Sequence, residues 1–228
     1  MMKALQKGAL CALVATSCCL VPLMVNAQDG KEKAAATVIT TDPKTWCGDA
    51  SVVASIKGCT LVIGSDDGKM SRADLAKIYS NRGRSYDAVN RYHDAMEDFR
   101  IAIALDPKNS NYFVDRAMAL HRIGDWDRAF EDLDHAIAVD ANNARAYNNR
   151  SYAYYLRGDY VLALADANKA VELNGKDARH FNTRGLALWH VGRIDDAIKD
   201  FETAAKLDPS LMAARQNLAQ AVLSKKSF

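Results

Sequence analysis

The chain has 228 residues, 49% hydrophobic and 25% charged, with a formal net charge of +2. Those proportions match the globular average, and the length allows one ordinary domain or one short repeat array. Only 4 prolines are present and alanine is frequent, which favours helix over strand.

Residues 1–27 have the layout of a cleavable secretory leader. Lys3 and Lys7 precede an apolar run over 8–25, and Val25-Asn26-Ala27 offers small residues before the polar Gln28-Asp29-Gly30. A basic start, an apolar middle and a small-residue exit mark a signal peptide, so cleavage is expected after Ala27. Two other readings exist. The run could stay as a membrane anchor, although it is short for a span and contains Thr16 and Ser17. Cys18 or Cys19 could carry a lipid, although Ala15-Thr16-Ser17 lacks the usual leading leucine or valine. Removing the leader takes away two lysines and no acid, leaving 28 basic against 28 acidic residues. A neutral chain argues against nucleic acid as the main partner, and no later segment is apolar enough to hold the mature chain to a membrane.

Residues 28–45 show no periodicity and read as a flexible tether, followed by a capping segment over 46–75. Cys11, Cys18 and Cys19 leave with the leader, so only Cys47 and Cys59 remain. Two cysteines in an exported chain are read as one disulfide, with two buried free thiols as the alternative. Closing so short a loop stabilises by about 3 kcal/mol in the chain-entropy treatment. Bonded Cα atoms sit roughly 6 Å apart and a helix rises about 1.5 Å per residue. A bonded Cys59 therefore needs a helix that starts near Val52, with Cys47 folded back along it. Val52, Ile56, Cys59 and Ile63 have helical spacing and are the expected buried stripe of this cap.

From Ala76 the chain repeats itself without gaps over 76–109, 110–143, 144–177 and 178–211. Each block carries an early aromatic (Tyr79, Phe113, Tyr147, Phe181), then an arginine (Arg82, Arg116, Arg150, Arg184). A small residue follows directly (Gly83, Ala117, Ser151, Gly185), then a large apolar one (Tyr86, Leu120, Tyr154, Leu188). Asn90, Gly124, Gly158 and Gly192 come next, residues suited to a left-handed helix end. The second half of each block opens with alanine (Ala95, Ala129, Ala163, Ala197), continues with Phe99, Leu133, Ala167 and Phe201, and reaches Ala102, Ala136, Ala170 and Ala204. Pro107 and Pro209 close the first and last blocks. Apolar residues at every third or fourth position give each half one apolar helical stripe. Each block is thus an antiparallel helix pair that cannot bury its stripe alone, so the pairs stack. Residues 212–228 read as a capping helix, with Ala213, Ala214, Leu218, Ala221 and Val222 inward.

Block length and the small–aromatic–alanine–proline pattern resemble the tetratricopeptide repeat family over about 136 residues. Asn81-Arg82-Gly83, Asp98-Phe99 and Asp200-Phe201 are similar to bacterial examples, as is Ile56-Lys57-Gly58-Cys59-Thr60 ahead of the first block. The resemblance implies an all-α fold: a right-handed superhelical array of four helix pairs with an N-terminal cap helix and a C-terminal capping helix. It implies a non-catalytic protein-binding module. With the leader it implies a periplasmic or secreted scaffold of the bacterial cell envelope. The alternatives are an accessory subunit of an envelope enzyme or glycan-processing complex, and a structural spacer. RNA-reading pentatricopeptide repeats have a slightly longer period.

No catalytic or metal-binding site is legible, and no cofactor is expected. His93, His121, His135, His180 and His190 include no pair three or four apart on one helix. The repeated charges are Arg82, Arg116, Arg150 and Arg184 with Asp98, Asp132, Asp166 and Asp200. They read as structural ion pairs, within a block or between blocks, with a ligand-contacting ladder as the alternative. The family's groove lies on the first helices, which places a protein or peptide partner against Arg84, Arg145, Asn148, Asn149, Tyr152, Tyr155, Arg179, Asn182 and Trp189. Arginines with asparagine amides and aromatics suit an extended peptide of acidic or C-terminal character. Tyr155 and Trp189 could equally pack between helices. Ser80 and Asp115 stand where chaperone-tail-binding relatives have lysine and asparagine, so that ligand is not expected.

Overall fold

The computed structural model describes Cys47 and residues 51–226, and the expected leader and tether lie outside the described residues. Among the described residues ten helices follow one another: α1 Val52–Gly64, α2 Arg72–Ala88, α3 Tyr92–Leu105, α4 Ser110–Arg122 and α5 Trp126–Val139, then α6 Ala144–Arg157, α7 Tyr160–Leu173, α8 Ala178–His190, α9 Ile194–Leu207 and α10 Met212–Lys226. The described residues contain no strand. The pairs α2/α3, α4/α5, α6/α7 and α8/α9 are the four blocks, and each helix also packs on the next in sequence.

Local chemistry sets the breaks. Ser71, Asn109, Asn143 and Asp177 cap α2, α4, α6 and α8 by accepting a backbone N–H through their side chains. Within each block the turn passes through a left-handed residue, with φ of 61° at Asn90 and 81°, 89° and 82° at Gly124, Gly158 and Gly192. The turn positions read from the sequence are therefore the ones that require that backbone.

The core is a ladder of alanines, joined by large side chains in blocks one, two and four. Ala95, Ala102, Ala129, Ala136, Ala163, Ala170, Ala197 and Ala204 are buried with Phe99, Leu133 and Phe201. Leu120, Leu133 and Ala146 belong to one buried cluster that spans blocks two and three, so the stripes are closed by stacking.

First helices of successive blocks touch each other, whereas successive second helices do not. The first helices therefore lie on the inside of the curve. Between α3 and α5, on the outside, a gap of about 350 Å³ is lined by Met96, Glu97, Arg100, Arg128 and Glu131.

The repeated charges pair inside each block. Arg82, Arg116, Arg150 and Arg184 each donate two hydrogen bonds, of 2.6–2.9 Å, to Asp98, Asp132, Asp166 and Asp200. The four aspartates are 2–8% exposed. Burial pushes the Asp98 carboxyl upward, and the bond to Asp98 holds Arg82 more firmly protonated. Two arginines also reach back a unit: Arg82 to the Thr60 hydroxyl at 3.2 Å and Arg150 to Asp134 at 2.7 Å. Such pairs contribute little as net stability but cost several kcal/mol when one partner is removed, about 3–5.

Both caps are present, with corrections of register. Cys47 and Cys59 form a disulfide with Cα atoms 4.7 Å apart, and α1 begins at Val52. The buried stripe of α1 is Ser55, Gly58, Cys59 and Val62, while Val52 is exposed and Ile56 and Ile63 are half-buried. The stripe is rotated because Ser55 accepts a hydrogen bond from Ser85 of α2, a polar contact that apolar periodicity does not report. In α10, Ala214 and Ala221 are buried and Leu218 packs on the Phe201 cluster, but Ala213 is exposed. Asn217 is drawn into the interface by a hydrogen bond to Asn182.

Candidate functional site

Two adjoining hollows lie along the first helices. One, of about 380 Å³, is lined by Arg84 and Asp87 of α2, Asp115, Met118 and Arg122 of α4, Arg145, Asn148 and Asn149 of α6, and Arg179 of α8. The other, of about 540 Å³, shares Arg84, Asp115, Arg145 and Arg179 and extends to Lys77 and Asn111. Four arginines from four different helices, with Lys77, thus converge on one concave surface.

Their neutralisation is partial. Arg145 donates to one oxygen of the Asp115 carboxylate, and the Ser80 hydroxyl donates to the other at 3.3 Å. Arg179 donates to Asp177, the cap of its own helix, and those bonds hold the Asp177 carboxyl down at about 2. Arg122 lies 3.2 Å from Asp87 Oδ1 without hydrogen-bond alignment, and burial pushes the Asp87 carboxyl upward. Arg84 bonds to the amide oxygen of Asn81. Neither Arg84 nor Lys77 has an acidic partner among the described residues.

Asn148 stands at the centre of the groove. Its amide oxygen is buried and has no hydrogen-bond partner among the described residues. A buried acceptor left unpaired costs about 1–3 kcal/mol, which a ligand N–H at that point would recover. Asn149 lines the same hollow.

Toward the C-terminal ends of the same helices the groove becomes aromatic. Tyr152, 37% exposed, stacks on Tyr155 at 6.1 Å and meets the His121 ring at 6.5 Å. His121 packs on Trp126 at 4.4 Å. Tyr155 contacts Tyr160 at 5.8 Å and His190 at 5.2 Å, and His190 stacks on Tyr160 at 4.4 Å. Trp189 extends the row next to His190 at 6.2 Å while its other side meets buried Phe201. Burial beside Arg122 lowers the His121 pKa, so this ring is neutral near pH 7.

The sequence-derived groove residues therefore divide. Arg84, Arg145, Asn148, Asn149 and Arg179 are brought together around the basic hollows. Tyr152 and Tyr155 form the aromatic row beside them. Asn182 is engaged by Asn217, and Trp189 is half-packed into the core of the last block. Lys77, Arg122 and His190 also belong to the surface but stand outside that expectation. The signal that finds them is the block register: Lys77, Arg145 and Arg179 are equivalent positions, as are Arg122 and His190. Among the described residues no cluster of three or more His, Cys, Asp or Glu side chains could hold a metal, and no helix is long and apolar enough to cross a membrane.

A curved stack of helix pairs with a charged, ring-lined inner face defines a helical-repeat protein of the protein-binding class. Tetratricopeptide repeat models match residues 76–109 and 181–211, and a second such model matches 114–178. The chain belongs to the tetratricopeptide repeat family. No curated protein matches it by sequence. Among solved structures it is similar to TTC0263, a thermophilic TPR protein of Thermus thermophilus, with 18% identity over 75% of this chain and 91% of that one, at a TM-score of 0.63. The protein pilF of Pseudomonas aeruginosa gives 21% identity over 69% of this chain and 72% of that one, also at 0.63. YrrB, described as a TPR protein with an unusual peptide-binding site, gives 18% identity over 76% and 87%, at 0.53. These likenesses establish the fold.

Proposed function

We propose that the concave groove holds an extended segment of a partner protein, and that the protein serves as a scaffold of the bacterial cell envelope. The observation that carries the groove reading is the convergence of Arg84, Arg122, Arg145 and Arg179 around an unbonded buried acceptor on Asn148. A chain passing there supplies carboxylates to the cations and a backbone N–H to the amide. The fold supports a protein-binding role, and YrrB is a structural neighbour with a peptide-binding site. The envelope setting is supported by the leader-like residues 1–27 and by the Cys47–Cys59 disulfide, a bond that persists in oxidising compartments.

The test is affinity capture with the purified protein from an envelope extract, followed by mass spectrometry. Arg145 is a poor choice for charge reversal, because it would leave buried Asp115 facing a second carboxylate. Arg84→Glu combined with Asn148→Ala alters exposed charge and an unbonded acceptor instead. The double variant should retain its helical circular dichroism and lose capture at least tenfold; undiminished capture would refute the groove. A mature N-terminus at Gln28, read by mass spectrometry of the native protein, checks the export reading.

A further inference from the structure

Resting on the groove reading above, we propose that the preferred ligand is a polyproline II segment in which an acidic residue and a proline each recur at every third position. The argument starts from the order of groups along α6. Arg145, Asn148, Tyr152 and Tyr155 are three or four residues apart and so share one helix face. Reading from the N-terminal end, that face presents a cation, an unbonded amide oxygen and then two stacked rings.

Neighbouring first helices extend this order into two rails. Lys77, Arg145 and Arg179 occupy the same position in blocks one, three and four and, reinforced by Arg84, form the cationic rail, with the Asn111 amide at that position in block two. In blocks two to four His121, Tyr155 and Trp189 occupy another shared position, held by Asp87 in block one, and with Tyr152 they form the aromatic rail. The rails run across the helices, parallel to each other, with Asn148 between them. Ten residues of helix separate the two positions, about 15 Å, a span that arginine with glutamate on one side and tyrosine with proline on the other can bridge.

The repeat of the rails decides the ligand's conformation. Packed helices stand about 8–10 Å apart. A polyproline II chain advances about 3.1 Å per residue with three residues per turn, close to 9 Å per turn. Each turn therefore meets one block, and the same ligand face returns to the same rail. A β-strand repeats every two residues, about 6.7 Å, and falls out of step after one block. Polyproline II also leaves its backbone N–H groups unbonded, which is what the Asn148 oxygen requires. Charge completes the match. Lys77 and Arg84 lack an acidic partner among the described residues, while the aromatic rail presents the rings of Tyr152, Tyr155 and Trp189.

The experiment is fluorescence anisotropy with two labelled twelve-residue peptides of identical composition. One is Glu-Pro-Ser repeated four times; the other holds the same residues in scrambled order. The in-register peptide should bind at least tenfold tighter. Arg84→Ala should weaken it most at low salt, and Tyr152→Ala should weaken it with little dependence on salt. Equal affinity for the two peptides overturns the three-residue match; if both are then lost in the Arg84→Glu, Asn148→Ala protein, the groove reading still stands. Binding of neither peptide overturns the match. Binding untouched by every one of these substitutions overturns both readings.

Discussion

Blocks one and four solve the contact between their two helices differently from blocks two and three. In the outer blocks a glycine faces a phenylalanine. A Cβ on Gly83 would lie 2.7 Å from a Phe99 ring carbon, and one on Gly185 would lie 2.6 Å from Phe201. In the inner blocks the equivalent pairs are Ala117 with Leu133 and Ser151 with Ala167. Ser151 uses its extra room to donate a hydrogen bond to the Ala163 carbonyl at 2.7 Å. Where the first-helix residue grows from glycine to alanine or serine, the facing residue shrinks from phenylalanine to leucine or alanine. A ring fits only where the facing position carries no side chain, because interiors are packed too densely to absorb a surplus. The Arg–Asp pair is the opposite case, with the same chemistry in all four blocks.

The largest effect should come from removing the ring itself. Phe201→Ala leaves a cavity in the last block and should cost about 3–5 kcal/mol by urea denaturation. Ala167→Gly in block three removes one methyl at the equivalent place and should cost about 1–2 kcal/mol, with helix propensity included. Similar losses from the two changes would show that the outer blocks do not lean on their phenylalanines.

Overpacking gives the next effect. Gly185→Ala should cost about 2 kcal/mol, because the new methyl meets a ring enclosed on all sides. Adding Phe201→Leu to that protein recreates the pair of block two. The double variant should recover at least about 1 kcal/mol relative to additivity, and strict additivity would refute volume exchange. Ser151→Ala tests the inner solution and should cost about 1 kcal/mol, the value of one buried hydrogen bond.

The smallest effect concerns where block four meets block three. Arg179 holds the Asp177 carboxyl at about 2, below the ordinary value of about 3.9. The unfolded chain therefore binds this proton more readily than the folded one. The resulting stabilisation is present above about pH 4 and is lost as pH falls through about 2. Asp177→Asn should lower the melting temperature slightly at pH 7, and the two proteins should converge at pH 2. A difference that persists at pH 2 would assign the effect to capping geometry rather than to charge.

Inside a block the sequence carries nearly all the information. The arginine and its aspartate are always 16 residues apart, and the left-handed turn residues are Asn90 and three glycines. Both follow from distances along one helix pair, which local periodicity encodes. Contacts between blocks are much less legible. Nothing local to Arg145 announces that Asp115, 30 residues earlier, will take up part of its charge. Nothing in α10 announces that Asn217 will reach Asn182. These depend on the angle between successive pairs, and that angle arises from side chains of both. The cap α1 is the extreme case, since it has no repeat to set its register and its stripe turns toward Ser55. The basic half of the groove is legible as residues but not as a connected surface. The His190 ring joins the aromatic row through Tyr155 and Tyr160, contacts that the spacing of histidines along the chain does not encode.

First helices touch along the inside of the curve, while second helices stand apart on the outside. Mechanically this is a spine with a free outer edge. Tension along the array would widen the gaps between second helices, such as the one lined by Met96 and Glu131, before it broke any contact along the spine. The protein should therefore lengthen elastically under a modest pull and shorten again on release, with each block keeping its own ion pair intact throughout.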